Sequence, residues 1–182
     1  GVPFRIAMSL TPTLGHMLCD DLLRARCDRH LDRLAAIAEN EVRRSEPRAD
    51  EQRAARFFLQ RVETVRGWWA HRWKRDLVGA FRSLEERGHL EIIACAATHG
   101  FLPLMLRAES VRAQIVLGIA THRAMFGRTP RGMWLPECAW RPGVDRILAD
   151  CGIRWTVLDS HGLMFGAPKP RRAVFAPRSE EH

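Results

Sequence analysis

The sequence contains no tyrosine, and only Lys74 and Lys169 among its 29 basic residues are lysines. The other basic residues are arginines, dispersed from Arg24, Arg26 and Arg29 through Arg53, Arg56, Arg61 and Arg66 to Arg171 and Arg172. Against 21 acidic residues they leave a net charge of +8. A nucleic-acid interface gathers its positive charge into a patch or stripe, and no basic block interleaved with aromatics exists here. Cysteine is scarce and unpatterned. Cys19, Cys27, Cys95, Cys138 and Cys151 are odd in number and contain no CxxC pair, so neither a disulfide framework nor a zinc knuckle is indicated and a reducing compartment is expected. Long apolar runs are missing too. The longest, Ile92 to Leu106, is interrupted by Thr98, His99 and Gly100 and is too short to span a bilayer. The N-terminus lacks the basic-then-apolar pattern of a secretory signal. The expected location is therefore cytoplasmic, with neither nucleic acid nor a membrane as partner. A nucleophile elbow, a phosphate-cradling glycine loop and a dinucleotide fingerprint are also lacking.

The 182 residues, 46% hydrophobic and 27% charged, have the profile of one globular domain with a real core. They are too few for a closed eight-stranded β/α barrel, which needs about 250. Strand and helix signals nevertheless alternate as they do in such a barrel. Phe4 to Leu10 alternates like a strand and stops at Thr11-Pro12, and Leu14 to Arg44 reads as helix, with Leu18, Leu22, Leu31, Leu34 and Ala38 on one side. A polar connection containing Pro47 follows. Phe58, Val62, Val65, Trp69, Trp73, Leu77, Phe81 and Leu84, at steps of three or four, mark one face of a long helix or of two end to end, closed by Gly88. Leu90 to Ala97 is an almost continuous apolar run, suited to a strand buried on both faces. Glu109 to Phe126 is helical and stops at Gly127. Met133 to Glu137 is a short strand, Pro142 to Asp150 a short helix, and Ile153 to Leu158 another strand. About four strands separated by helices imply parallel βαβ units in an α/β fold, as a partial barrel or a small open sheet.

Working residues in such folds project from the C-terminal ends of parallel strands. Those ends here are Ser9-Leu10-Thr11, Thr98-His99-Gly100, Pro136-Glu137-Cys138 and Asp159-Ser160-His161. Glu137 is the sharpest candidate, because a carboxylate that follows a buried strand needs either a partner, such as Arg141, or a substrate. Trp134 and Trp140 bracket it and serve equally as core filler or as platforms for sugar rings. His99 can donate to a substrate hydroxyl, orient a carboxylate or act as a satisfied structural group. Asp159 and His161 suit hydrogen bonds to sugar hydroxyls, or metal binding if His99 is recruited as a third ligand, the arrangement of a polysaccharide deacetylase-like barrel. His30, His71 and His122 lie on predicted helices without partners at ligand spacing and read as solvated.

The stretch from Gly132 to Gly143 (GMWLPECAWRPG) resembles the nucleophile motif of glycoside hydrolase family 57, in the form carried by its 1,4-α-glucan branching enzyme group. Leu90 to Pro103 (LEIIACAATHGFLP) is similar to that group's second characteristic strand, and Asp159-Ser160-His161-Gly162 to the next one. The resemblance implies a partial (β/α)7 barrel, with residues 1–182 as a single incomplete catalytic domain. It implies that Glu137 is the nucleophile of a retaining reaction on an α-glucan, without a cofactor or metal, and that His99, Trp134, Trp140, Asp159 and His161 line the substrate site. It also places the family's first strand before Phe4 and its acid/base aspartate beyond His182, so this chain alone is expected to be inactive or nearly so. An α-amylase, a 4-α-glucanotransferase or a non-catalytic remnant would carry a similar motif.

Overall fold

The computed structural model describes residues 4–46, 48–165 and 167. In chain order the elements are β1 (Ile6–Ser9), α1 (Pro12–Cys19), α2 (Asp21–Arg44), α3 (Ala49–Gly67), α4 (Leu77–Glu86), β2 (Leu90–Cys95), α5 (Ala108–Phe126), β3 (Gly132–Trp134), α6 (Val144–Asp150), β4 (Trp155–Thr156) and α7 (Ser160–Met164). They fall into two compact units, Gly1–Thr13 with His89–His182, and Leu14–Gly88. No helix among the described residues is long and apolar enough to cross a membrane.

The first unit is built on a four-stranded sheet of order β1-β2-β3-β4, in which every pairing is parallel. The α/β reading with about four parallel strands is therefore what the chain forms. The order runs without the reversal that a doubly wound open sheet makes at its switch point, as it does along a barrel wall. Registers of Ala94 with Met133 and Cys95 with Trp134 sort the side chains by face. Ala94, Ala96, Met133 and Leu135 join Ile115 and Ile119 of α5 and Val144 and Leu148 of α6 in one buried cluster. Cys95 and Trp134 belong to the opposite face, as does Gly132, where a Cβ would lie 2.5 Å from the Trp155 ring and 2.9 Å from Ile93.

Helix α5 sits directly on β2. A Cβ on Gly118 would lie 2.0 Å from the Cys95 carbonyl oxygen, and the Ala97 N–H donates to the Gln114 carbonyl at 3.0 Å. One expectation fails on this helix. His122 is buried at 4% exposure rather than solvated, its ring centroid lies 5.0 Å from that of Phe126, and its Nδ1 has no partner among the described residues. Burial pushes its pKa down to about 4, because a charged imidazolium there would lose its hydration. His30 and His71 are exposed, as expected.

The second unit is helical, with α2 packed along α3. The single helix expected over Leu14 to Arg44 is interrupted at Asp20, whose carboxylate accepts from the Leu23 N–H at 2.8 Å and so begins α2 afresh. The long stripe from Phe58 to Leu84 is also divided. A π-helical turn over Trp68–Arg72 ends α3, Lys74 and Arg75 take left-handed φ angles of 50° and 62°, and the Asp76 carboxylate starts α4 by accepting from the Gly79 N–H. Val62, Trp69 and Val78 are buried, but Phe58 is left half exposed. The Trp69 indole N–H donates to Asp28 Oδ1 at 2.7 Å, and Arg75 Nε donates to the same oxygen at 3.0 Å.

Candidate active site

Strand β3 ends at Trp134, earlier than the sequence pattern suggests, and Glu137 stands beyond it in a 3-10 turn over Pro136–Cys138. Leu135 and Pro136 are buried and anchor the turn. Glu137 has φ 56° and ψ 26°, and Cys138 follows with φ 52°. Two successive left-handed residues that are not glycine cost roughly 1–2 kcal/mol each, so the surroundings must hold them there. The Cys138 N–H donates to the Leu135 carbonyl at 2.9 Å and the Ala139 N–H to that of Pro136 at 3.1 Å. The consequence is a carboxylate lifted off the end of the sheet, with 75% of its side chain exposed. Arg141 does not neutralise it. Its guanidinium donates instead to the Met105 carbonyl at 2.9 Å.

His99 comes from the neighbouring strand end and is the side-chain partner of Glu137 among the described residues, with Nε2 3.6 Å from Oε1. It also has left-handed backbone, at φ 55°. Its Nδ1 lies 3.0 Å from Cys95 Sγ at the end of β2. Gln114 of α5 clamps the loop just before it, since its side-chain oxygen accepts from the Thr98 N–H at 3.0 Å and its amide donates to Thr98 Oγ1 at 2.9 Å. Both strand ends thus reach the site through strained turns fixed to the helix layer or to the strand itself.

Asp159 and His161 follow β4, the next strand along. Asp159 Oδ1 accepts from the His161 N–H at 3.0 Å and lies 2.7 Å from the His161 ring Nδ1, and these hydrogen bonds hold its carboxyl below the usual carboxylate range. The His161 ring lies nearly parallel to that of Phe165, with centroids 6.3 Å apart. No hydrogen bond or ion pair links this pair to His99 or Glu137 among the described residues. Nor do any three His, Cys, Asp or Glu side chains there form a group able to hold a metal ion, so His99, Asp159 and His161 are not assembled as ligands. Trp134 shares the sheet face of Cys95, and Trp140 is 46% exposed.

The site thus sets a carboxylate on a strained turn after β3 3.6 Å from a histidine that follows β2. The family model described as glycosyl hydrolase family 57 covers residues 19–180. The chain belongs to that family. A 1,4-α-glucan branching enzyme of Thermococcus kodakarensis is 32% identical in an alignment 175 residues long that covers 88% of this chain and 25% of the relative. Among solved structures, the α-amylase AmyC of Thermotoga maritima aligns with a TM-score of 0.89 at 34% identity, over 96% of this chain and 34% of that one. A family 57 branching enzyme of Pyrococcus horikoshii aligns with a TM-score of 0.86 at 31% identity, over 93% and 34%. The chain thus spans about a quarter to a third of the length of these relatives.

Within this family 57 chain, sequence reasoning singled out Glu137 and His99 but missed two residues that hold them. Cys95 was legible only as the last apolar position of a buried strand, four residues before His99. Gln114 stands one helical turn before Gly118, on the side of α5 that meets β2, and an uncharged polar residue on that side is the signal that could have marked it.

Proposed function

We propose that the chain is the nucleophile-bearing segment of a 1,4-α-glucan branching enzyme, whose substrate is an α-glucan such as amylose or a glycogen-like chain. The observation that carries this is the placement of Glu137, ionisable, exposed and free of Arg141, on a strained turn at the C-terminal edge of a parallel sheet. In the reaction proposed, one Glu137 oxygen attacks the anomeric carbon of an α-1,4-linked donor, and the departing 4-oxygen takes a proton from a second carboxyl. Retaining glycosidases set the two carboxyls about 5–5.5 Å apart. The 6-hydroxyl of another glucan, giving its proton back to that second carboxyl, then displaces Glu137 and forms an α-1,6 branch with the anomeric configuration retained. His99 is positioned to orient Glu137. Trp134 and Trp140 offer stacking surfaces, and Asp159 and His161 offer polar groups to sugar hydroxyls.

The resemblance to family 57 puts the acid/base aspartate outside these 182 residues, and one carboxylate cannot serve as nucleophile and proton donor at once, so the chain alone is proposed to be inactive. Residues 1–182 are read as one incomplete catalytic β/α-barrel domain of a cytoplasmic protein. Hydrolysis is the second reading, favoured by the likeness to the Thermotoga maritima α-amylase, and 4-α-glucan transfer is a third. Linkage analysis of amylose products separates branching from both, because only branching forms α-1,6 bonds. In the full-length protein Glu137→Gln is expected to lower α-1,6 bond formation by roughly 10⁴-fold or more. Wild-type turnover in that variant would overturn the assignment.

A further inference from the structure

Cys95 has no place in the chemistry just described, yet it is 1% exposed and its sulfur lies 3.0 Å from His99 Nδ1, on the far side of the ring from Glu137. We infer that Cys95 is a positioning residue, whose thiol fixes the His99 ring so that Nε2 always presents a proton to Glu137.

What each atom can donate or accept fixes the tautomer. Glu137 Oε1, when ionised, only accepts, so His99 Nε2 must carry a hydrogen to face it favourably. In the neutral imidazole this leaves Nδ1 as a bare acceptor in need of a donor. The Cys95 S–H is the donor within reach. The opposite tautomer, with Nδ1–H against sulfur, would turn a lone pair on Nε2 toward a carboxylate. If the ring is protonated, Nδ1–H donates to sulfur and Nε2–H still faces Glu137. The thiol supports both states because it can either donate or accept, whereas a valine there could do neither. Burial pushes the Cys95 thiol up to about 11, so it keeps its hydrogen at neutral pH. The groups facing the ring are Cys95 from β2 and Glu137 from the β3 turn, and the Thr98–Gln114 clamp fixes the backbone that carries it.

The placement of the ring stands on this geometry. Its consequence for rate rests on the proposed role of Glu137. With one oxygen facing Nε2–H at 3.6 Å, the other is left free to attack, so loss of the thiol should lower kcat more than it raises KM.

The test uses the full-length protein as wild type, Cys95→Ser, which keeps a donor, and Cys95→Val, which keeps a small apolar volume without one. With ring-¹⁵N-labelled histidine, and His99 assigned by comparison with His99→Gln, the neutral ring should be the Nε2–H tautomer in wild type and Cys95→Ser. Cys95→Val should show a mixture. Transfer to amylose should fall about tenfold in kcat for Cys95→Val, with KM nearly unchanged, and be largely restored in Cys95→Ser. A wild-type ring protonated at Nδ1 alone, or a Cys95→Val variant with unchanged tautomer and kcat, overturns the inference. If valine does not fold, a Cys95→Ser ring that loses the Nε2–H tautomer overturns it equally. If the wild type holds that tautomer but shows no action on α-glucans, the positioning role stands and the proposed function is the part that fails.

Discussion

The two units of the chain solve the same burial problem with different materials. The sheet unit hides Ile92, Leu102, Val111, Ile115, Met133, Leu135 and Val144 almost completely, and its closest approaches are backbone contacts, such as Gly118 beneath the Cys95 carbonyl. The helical unit buries Leu31, Ala35, Ala38, Val62, Trp69 and Val78, and both units leave large apolar side chains about half exposed or more, Leu22, Ile37, Phe57 and Phe58 in the helical one and Ile6, Leu104, Leu106 and Leu117 in the other. Much of its surface is tied by pairs three residues apart, among them Arg44 with Glu41, Arg53 with Asp50 and Arg66 with Glu63. Exposed pairs of that kind contribute at most about 1 kcal/mol each. The strained turns at Glu137 and His99 stand on the tightly filled sheet layer, whereas the left-handed residues Lys74 and Arg75 of the helical unit lie exposed between two helices.

The largest test of this contrast is Gly118→Val. Its Cβ alone would lie 2.0 Å from a backbone oxygen that cannot swing aside, so α5 must lift from β2. A loss of about 3 kcal/mol or more is expected, beyond the usual range for an added side chain because backbone must move. Amide hydrogen exchange should show lost protection in β2, β3 and α5, with α2 and α3 retaining theirs. Equal loss in both units would break the contrast.

This contrast also accounts for what could be read from the residues. Buried strands announce themselves, as Leu90 to Cys95 did, because both faces are apolar and flanking glycine and polar residues set the limits. The turns they support do not. Nothing in the pattern Trp134-Leu135-Pro136-Glu137 distinguishes a fifth strand residue from a left-handed turn, which is closed by local bonds from Cys138 and Ala139 and anchored by the burial of Leu135 and Pro136. Helix breaks at Asp20 and over Trp68–Arg72 were hidden for a similar reason. An apolar period of three to four runs straight through a cap or a π-turn without losing its phase. Glu137 and His99 could be singled out as candidates because polar residues there follow apolar strands. Cys95 could not, because a thiol in an apolar run looks like any small hydrophobe.

Acid should separate the two units in sequence, with a smaller effect. His122 binds a proton readily when unfolded, near pH 6.5, but in the folded sheet unit only near pH 4. The unfolded state therefore takes up more protons across that window. Stability is full above pH 6.5 and falls as pH drops toward 4, by roughly 1.4 kcal/mol per unit at the steepest. In the helical unit Asp28 is held below the usual carboxylate range by its hydrogen bond from Trp69, and then by Arg75. Its contribution persists at pH values above 3.8 and is lost only below that. Urea midpoints followed by hydrogen exchange at pH 7, 5.5 and 4.5 should show the sheet unit weakening first. His122→Phe should flatten that decline, and an unchanged slope would remove His122 as its cause.

The smallest effect is expected at Asp28, and it measures what holds the helical unit where apolar burial is incomplete. Oδ1 receives both the Trp69 indole and the Arg75 guanidinium, so Asp28→Ala leaves the buried Trp69 N–H without its acceptor. A stranded donor costs about 1–3 kcal/mol when fully desolvated. Asp28 keeps 30% of its side chain exposed, so water can replace part of what is lost and the lower end applies. Asp28→Asn keeps a carbonyl oxygen for Trp69 and removes only the charge offered to Arg75, which should cost a few tenths of a kcal/mol. The ratio of the two losses is therefore informative. If alanine costs about 1 kcal/mol and asparagine almost nothing, the indole hydrogen bond is the anchor and the ion pair is incidental. Equal losses would assign the stabilisation to charge, and the helical unit would then depend on salt in a way that the sheet unit does not.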